Sequence, residues 1–219
     1  MADNYLEKRY EAVFGRDAGR NARAQRPSLD RLLLANRSYR IYDKSYKVDR
    51  RQLEAMIAVN PRVGSAMNRQ ALRFYPVTAG PEAGKILSLI RMGAAVPDIK
   101  LPPEGREPEA FIVICSTLPE TSVIDIDLGI SAQSMLLKAA EMGLGGIFIR
   151  NFNARALREA LGLELQPLAV IAVGKPDETI ELVPAVPGEG LAYYFQDGIH
   201  YVPKLSAKDL IIHKKSPEP

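Results

Sequence analysis

The chain has 219 residues, 47% of them hydrophobic and 25% charged, with a formal net charge of +3. That is enough apolar material for a core in one large domain or two small ones, and too little surplus positive charge for the dense basic stripe of a nucleic-acid binder. The single cysteine, Cys115, excludes an intrachain disulfide framework, which fits a reducing compartment.

Residues 1–27 read as a helical extension. Leu6, Tyr10 and Phe14 recur at helical spacing, while Arg16, Arg20, Arg23 and Arg26 stand among interspersed acids on a solvated face. The segment lacks the apolar stretch of a secretory leader, and no apolar run approaches the length of a membrane span, so the expectation is a cytoplasmic protein without a membrane partner. Residues 28–219 read as one domain. Ser28 caps a helix through LDRLLLA. Asp49 with Gln52 forms a capping box for a helix that presents Leu53, Met56 and Ile57 and stops near Asn60-Pro61. LRFYPVT is a strand, at an edge or bulge because Pro76 cannot donate to a ladder. PEAGKILSLIRM is a helix, AAVPDIKLPPEGREP a proline-punctuated connection, and AFIVICS a buried strand with Cys115 as a small hydrophobe.

DIDLGISAQSMLLKAAEMGLGG is a helix apolar nearly all round. Leu128, Ala132, Met135 and Ala139 form one stripe, and Ile130 and Leu137 lie on another side. Such a helix is central, and a second subunit is a candidate to cover its remaining face. A short strand IFI, a helix ARALREALG capped by Gly162, a buried strand LAVIAVG and a hairpin YYFQDGIHYV turning at Asp197-Gly198 complete the chain. The irregular alternation argues a mixed α+β fold.

Chemistry-bearing residues are few. GLGGIF fails as a dinucleotide loop, because Phe148 replaces the last glycine and the order is helix into strand. His200 and His213 lack metal-ligand spacing, and no nucleophile elbow precedes them. Asp125 and Asp127 suit a helix N-terminus better than a metal. With neither nucleophile nor metal centre borne by the chain, an enzyme of this sequence depends on a cofactor. NRSYRIY sets Arg37 and Arg40 around Ser38. Guanidinium forks and a hydroxyl suit phosphate oxygens, and a solvated surface explains the same residues.

Five segments in order sharpen this. NRSYRIY resembles the flavin-phosphate motif that opens the nitroreductase family, where Arg-Arg-Ser-x-Arg is usual. GSAMNRQALRF resembles that family's Pro-Ser-x-x-Asn-x-Gln-Pro-x-x-Phe loop. DLGISAQSMLLKAAEMGLGGIFIRNF is similar to its long central helix with the following turn and strand. LAVIAVGKPDE matches the strand ending in Gly-x-Pro, and YVPKLSAKDLI the basic C-terminal segment.

The resemblance implies a central, mostly antiparallel sheet flanked by helices, in an intertwined homodimer with an exchanged C-terminal arm. It implies FMN as cofactor and an oxidoreductase taking two electrons from NAD(P)H by a ping-pong mechanism, for a nitroaromatic, quinone or conjugated carbonyl acceptor. Arg37 and Ser38 would meet the phosphate and ribityl end, and Arg40 the pyrimidine edge. Ser65, Ala66 and Asn68 would approach from the other subunit, with Gln70 and Arg73 as weaker candidates. Ile149, Arg150 and Asn151 would lie along the ring, and Lys204 would close on the phosphate. The chain departs from the family pattern at Asn36, Gly64, Leu72, Arg150 and Asn151. The connection before AFIVICS is short, which suggests an open pocket lined by Pro102, Pro103, Tyr193 and Tyr194. The departures keep a second reading open, a flavin-binding storage or sensing protein without turnover.

Overall fold

The computed structural model describes residues 27–212. The helical extension expected over residues 1–27 therefore lies, Pro27 aside, outside the described residues. Helices α1 (Leu29–Ala35) and α2 (Arg50–Ile57) start where the caps place them. Ser28 Oγ accepts the Arg31 N–H at 3.3 Å, and Asp49 and Gln52 form a reciprocal capping box.

Strands β1 (Leu72–Val77), β2 (Ala110–Ser116), β3 (Gly145–Ile149) and β4 (Gln166–Gly174) make a wholly antiparallel sheet in the order β1-β2-β4-β3. Pro76 does sit on the edge strand β1, where its missing N–H interrupts no interior ladder. Every residue of β2 is buried, and all of β4 after Gln166. Alternation sends these residues to two faces. Ile112, Ile114 and Ile171 pack against Leu53 and Met56 of α2 and against α4 (Ser122–Glu141). Phe111, Val113, Val170 and Ala172 pack with Ala83 and Ile86 of α3 (Pro81–Leu89) and Leu157 of α5 (Ala154–Leu161). The result is helix on both sides of a sheet.

The α4 stripe of Leu128, Ala132, Met135 and Ala139 is buried as expected, whereas Ile126 and Ile130 remain exposed. Among the described residues no helix is long and apolar enough to cross a membrane.

A second sheet lies beyond Gly174. It comprises β5 (Thr179–Pro184), β6 (Tyr194–Gln196) and β7 (Ile199–Lys204) in the order β5-β7-β6. The β6–β7 hairpin turns at Asp197 (φ 51°) and Gly198 (φ 78°), the left-handed pair that a two-residue turn requires. Strand β5, parallel to β7, has no counterpart in the sequence reading. A short helix α6 (Ala207–Leu210) follows.

Candidate functional site

The segment NRSYRIY begins where α1 ends. The last carbonyls of a helix lack intrahelical partners. Arg37 Nη2 donates to Leu33 O, and the Tyr39 hydroxyl donates to Ala35 O at 3.0 Å. Arg37 thus has a structural task as a helix cap. The chain then runs beside the edge strand β3, where Ser38 pairs with Gly146 and the Tyr39 N–H donates to Gly146 O at 3.2 Å. Beyond it, Tyr42 pairs with Pro176, flanked by Asp43 N to Lys175 O at 2.9 Å and Asp177 N to Ile41 O at 3.0 Å. This docking needs bare backbone. A Cβ on Gly145 would collide with the Tyr39 ring, and one on Gly174 would lie 2.5 Å from Tyr42 Cδ1. GLGGIF is therefore a helix stop at Gly143 (φ 70°) followed by a close-packed strand start.

Arg40 is buried, with 8% of its surface exposed. Its Nη1 donates to Ser38 O at 2.8 Å, and its guanidinium lies 4.4 Å from the Tyr193 ring centroid, a favourable cation–π distance. Among the described residues neither Arg40 Nε nor Arg37 Nε, both buried, has a hydrogen-bond partner, while Ser38 between them is exposed. Buried donors in native proteins are nearly always paired, and leaving one unpaired costs about 1–3 kcal/mol. Two guanidinium donors flanking a free hydroxyl fit an anionic, oxygen-rich ligand end. Below them Tyr42 is fully buried; burial foremost, then the Glu178 charge, pushes its phenol pKa up, so it stays a neutral donor, to Tyr39 O at 2.7 Å.

Ser65, Ala66 and Asn68 form a tight loop before β1. Asp127 Oδ1 accepts the Ala66 N–H at 2.8 Å, Ser65 Oγ accepts the Gln70 N–H at 3.2 Å, and Gln70 Nε2 donates to Asn68 Oδ1 at 3.0 Å. Met67, Asn68 and Gln70 hold φ of 51°, 53° and 47°, a conformation that L side chains adopt only when surroundings impose it. Asp127, read from sequence as a helix-terminus acid, instead lies buried in the second turn of α4 and pins this loop, with Oδ2 unpartnered among the described residues. The loop lines a cavity of about 310 Å³ with Ile57, Val63, Leu72 and Phe74.

Ile149 is buried in β3, about 10 Å along the strand from Gly146 at roughly 3.3 Å per residue. Arg150 pairs with Glu120 and Asp125, which occupies the side chain elsewhere. Asn151 O accepts the Arg91 N–H at 2.9 Å. Lys204 ends β7 exposed.

One chain therefore groups Arg37, Ser38 and Arg40 at the start of β3 and sets Ile149 at its far end, with Arg150 and Asn151 just beyond. Ser65, Ala66 and Asn68 attach elsewhere. Asn36 Nδ2 reaches α4 at Gln133 Oε1, 3.3 Å away, whereas Ala66 reaches it at Asp127; six helical positions place these attachments about 120° apart around the axis. Sequence reasoning missed Glu178 and gave His200 no role. Both lie within the second sheet's contact with Arg40, and nothing local in the sequence marks the pair.

The nitroreductase family model matches residues 33–175, which span all of these groups except Lys204, Tyr193, Glu178 and His200. Among solved structures, a nitroreductase family protein from Streptococcus pneumoniae TIGR4 aligns with TM-score 0.61 and 16% identity, over 86% of this chain and 100% of that one. Nitroreductase A from Vibrio parahaemolyticus aligns with TM-score 0.55 and 26% identity, over 71% of each chain. A mutant of NfnB, an FMN- and NADPH-dependent nitroreductase from Sphigopyxis sp. strain HMH, aligns with TM-score 0.55 and 19% identity, over 69% of this chain and 89% of that one. No curated protein matches the chain. With a family match across most of the chain and the fold shared by these structures, the chain belongs to the nitroreductase family.

Proposed function

We propose that the chain is an FMN-dependent oxidoreductase working as a homodimer. The observation that carries this is the pair of buried, unpartnered donors, Arg37 Nε and Arg40 Nε, on either side of the exposed Ser38 in a chain of this family. Bound FMN would supply two-electron hydride chemistry, drawing on NAD(P)H and serving a nitroaromatic, quinone or conjugated carbonyl acceptor in a ping-pong cycle. The chain's own residues hold and orient. Arg37 and Ser38 grip the phosphate end, at about 1.5–3 kcal/mol for each charge-assisted hydrogen bond. Arg40 offers a desolvated cation to the ring's polar edge, where it favours added negative charge. Ile149, Arg150 and Asn151 would lie along the ring, Arg150 and Asn151 through their backbone, and Lys204 would add a second cation to the phosphate.

Ser65, Ala66 and Asn68 come from the partner, which agrees with their attachment to a different face of α4. Ile126 and Ile130 on α4, and Leu29, Leu33 and Leu34 on α1, are all exposed in one chain, and Asn36 at the end of α1 bonds to Gln133 of α4. An apolar surface of this kind suits a second copy. Leu210, Ile211 and Ile212 at the C-terminal end are likewise exposed, and an arm crossing to the partner would cover them.

Purified full-length protein tests the reading. It should carry or take up FMN, show a flavin spectrum, sediment as a dimer, and bleach rapidly on mixing with NADH or NADPH. Protein that binds FMN but does not bleach with either nucleotide supports the storage or sensing reading; protein that binds no FMN ends both.

A further inference from the structure

Beside Arg40 lies a buried acid–base pair that the proposed function does not use. The Glu178 and His200 side chains are 2% and 1% exposed. Glu178 Oε1 accepts the backbone N–H of Arg40 and that of Ile41, the latter at 3.1 Å. Its Oε2 faces His200 Nδ1 at 3.2 Å. The imidazole is held in place by Phe195, stacked on it at 4.4 Å, and by the edge of Tyr193 at 5.0 Å. The β-ladder fixes this arrangement, because His200 stands opposite Phe195 on one side and Ile180 on the other.

The carboxylate's oxygens are thus taken by two main-chain donors and one ring nitrogen. The Arg40 guanidinium has a carbonyl and an aromatic face for company, and Nε free. That division is unexpected on electrostatic grounds. A buried arginine beside a buried carboxylate ordinarily forms a bidentate pair, which is the strongest arrangement the two groups have. Such a pair would consume the fork and cancel its charge.

We propose that His200 is a positioning residue that keeps Glu178 from neutralising Arg40, so that the cation remains available to the cofactor. The inference rests on the reading that Arg40 faces FMN. Without the imidazole, Glu178 Oε2 would be a buried acceptor with no donor, and Arg40, whose main-chain N–H already meets the same carboxylate, carries in Nε a buried donor that lacks an acceptor. Tyr193, which touches both the imidazole and the guanidinium, serves the same end: its ring packs on the guanidinium without supplying a counter-charge.

The test is FMN affinity of the full-length protein by titration of flavin fluorescence. His200→Phe should weaken FMN binding at least tenfold. His200→Gln, which keeps a donor for Glu178, should remain within about threefold of wild type. Glu178→Gln keeps an oxygen for both main-chain donors but carries no charge, and it should bind FMN as tightly as wild type or more so. The double variant Glu178→Gln/His200→Phe should recover the affinity that His200→Phe loses. Recovery is the result that a merely structural histidine does not give. A double variant no better than His200→Phe, or His200→Phe at wild-type affinity, overturns the inference. Should His200→Phe fail to fold, Glu178→Gln alone decides, and a tenfold loss there overturns it. Arg40→Ala separates this inference from the reading beneath it. If Arg40→Ala leaves FMN affinity unchanged, both fall; if it weakens binding while His200→Phe does not, only the inference falls.

Discussion

The two sheets of this protein are held together by different physics. The first is sealed by apolar burial. Every residue of β2 is buried, and its two faces carry aliphatic and aromatic side chains into separate clusters between helices. The second has most of β5 exposed, a Tyr194–Tyr201 stack, an imidazole on its central strand and, against that imidazole, a carboxylate from just before β5, with a guanidinium nearby. The first sheet carries most of the buried apolar side chains, the main source of stability. The second is the softer element, and it is the one that touches Arg40. The proposed control of Arg40 thus falls where a few hydrogen bonds hold the structure, not where dispersion and area do.

The sharpest way to break this contrast is to cut equally deep into each sheet. Phe111→Ala empties the space of a fully buried ring in the first sheet, and should lower unfolding stability by about 3–5 kcal/mol, with FMN affinity of the folded fraction unchanged; chemical denaturation and flavin titration read the two quantities. Next in size is the apolar face outside both sheets. Ile126→Glu/Ile130→Glu places two charges on the exposed side of α4 and should weaken dimer association by about 100-fold, or roughly 2.7 kcal/mol, as seen by sedimentation, while the protomer stays folded. Arg40→Ala should weaken FMN about tenfold to 100-fold, matching one charge-assisted contact, with little change in the denaturation midpoint.

The smallest effect concerns Cys115 in the first sheet. Burial pushes its thiol up to about 11. The thiolate is the reactive form, so native protein should resist iodoacetamide at pH 7–8 and react only through unfolding. The sign for stability follows from the raised value. The folded state keeps the proton that the unfolded chain releases near pH 8.5, so stability should hold below that pH and decline between about pH 8.5 and 11. Rapid alkylation of folded protein at pH 7 would contradict the burial.

How much of this could be read from the chain alone follows the same division. AFIVICS and LAVIAVG are continuous apolar runs bounded by turn residues, so their burial is evident locally. Ser28 with LDRLLLA, Asp49 with Gln52, and Asp197-Gly198 are short-range devices whose chemistry is complete within a few residues. The grouping of Arg37, Ser38 and Arg40 is equally local, since they are neighbours in sequence. What escaped is long-range. Strand β5 reads TIELVP, with a proline and an exposed alternation, and it exists because β7 returns to pair with it in parallel. Glu178 meets His200 across 22 residues, and Arg150 meets Glu120 across 30 and Asp125 across 25. No periodicity announces such pairs. Asp127 was seen but given the wrong employment, because its partner Ala66 lies 61 positions away.

The central claim is that this chain grips an anionic tail with Arg37, Ser38 and Arg40. Comparing the affinity of the purified protein for FMN and for riboflavin, which differ only by the phosphate, tests it most directly. The account predicts that FMN binds at least about 100-fold more tightly, roughly 2.7 kcal/mol or more, and that the difference shrinks in Arg37→Ala. Equal affinity for the two flavins, or none for either, would contradict it.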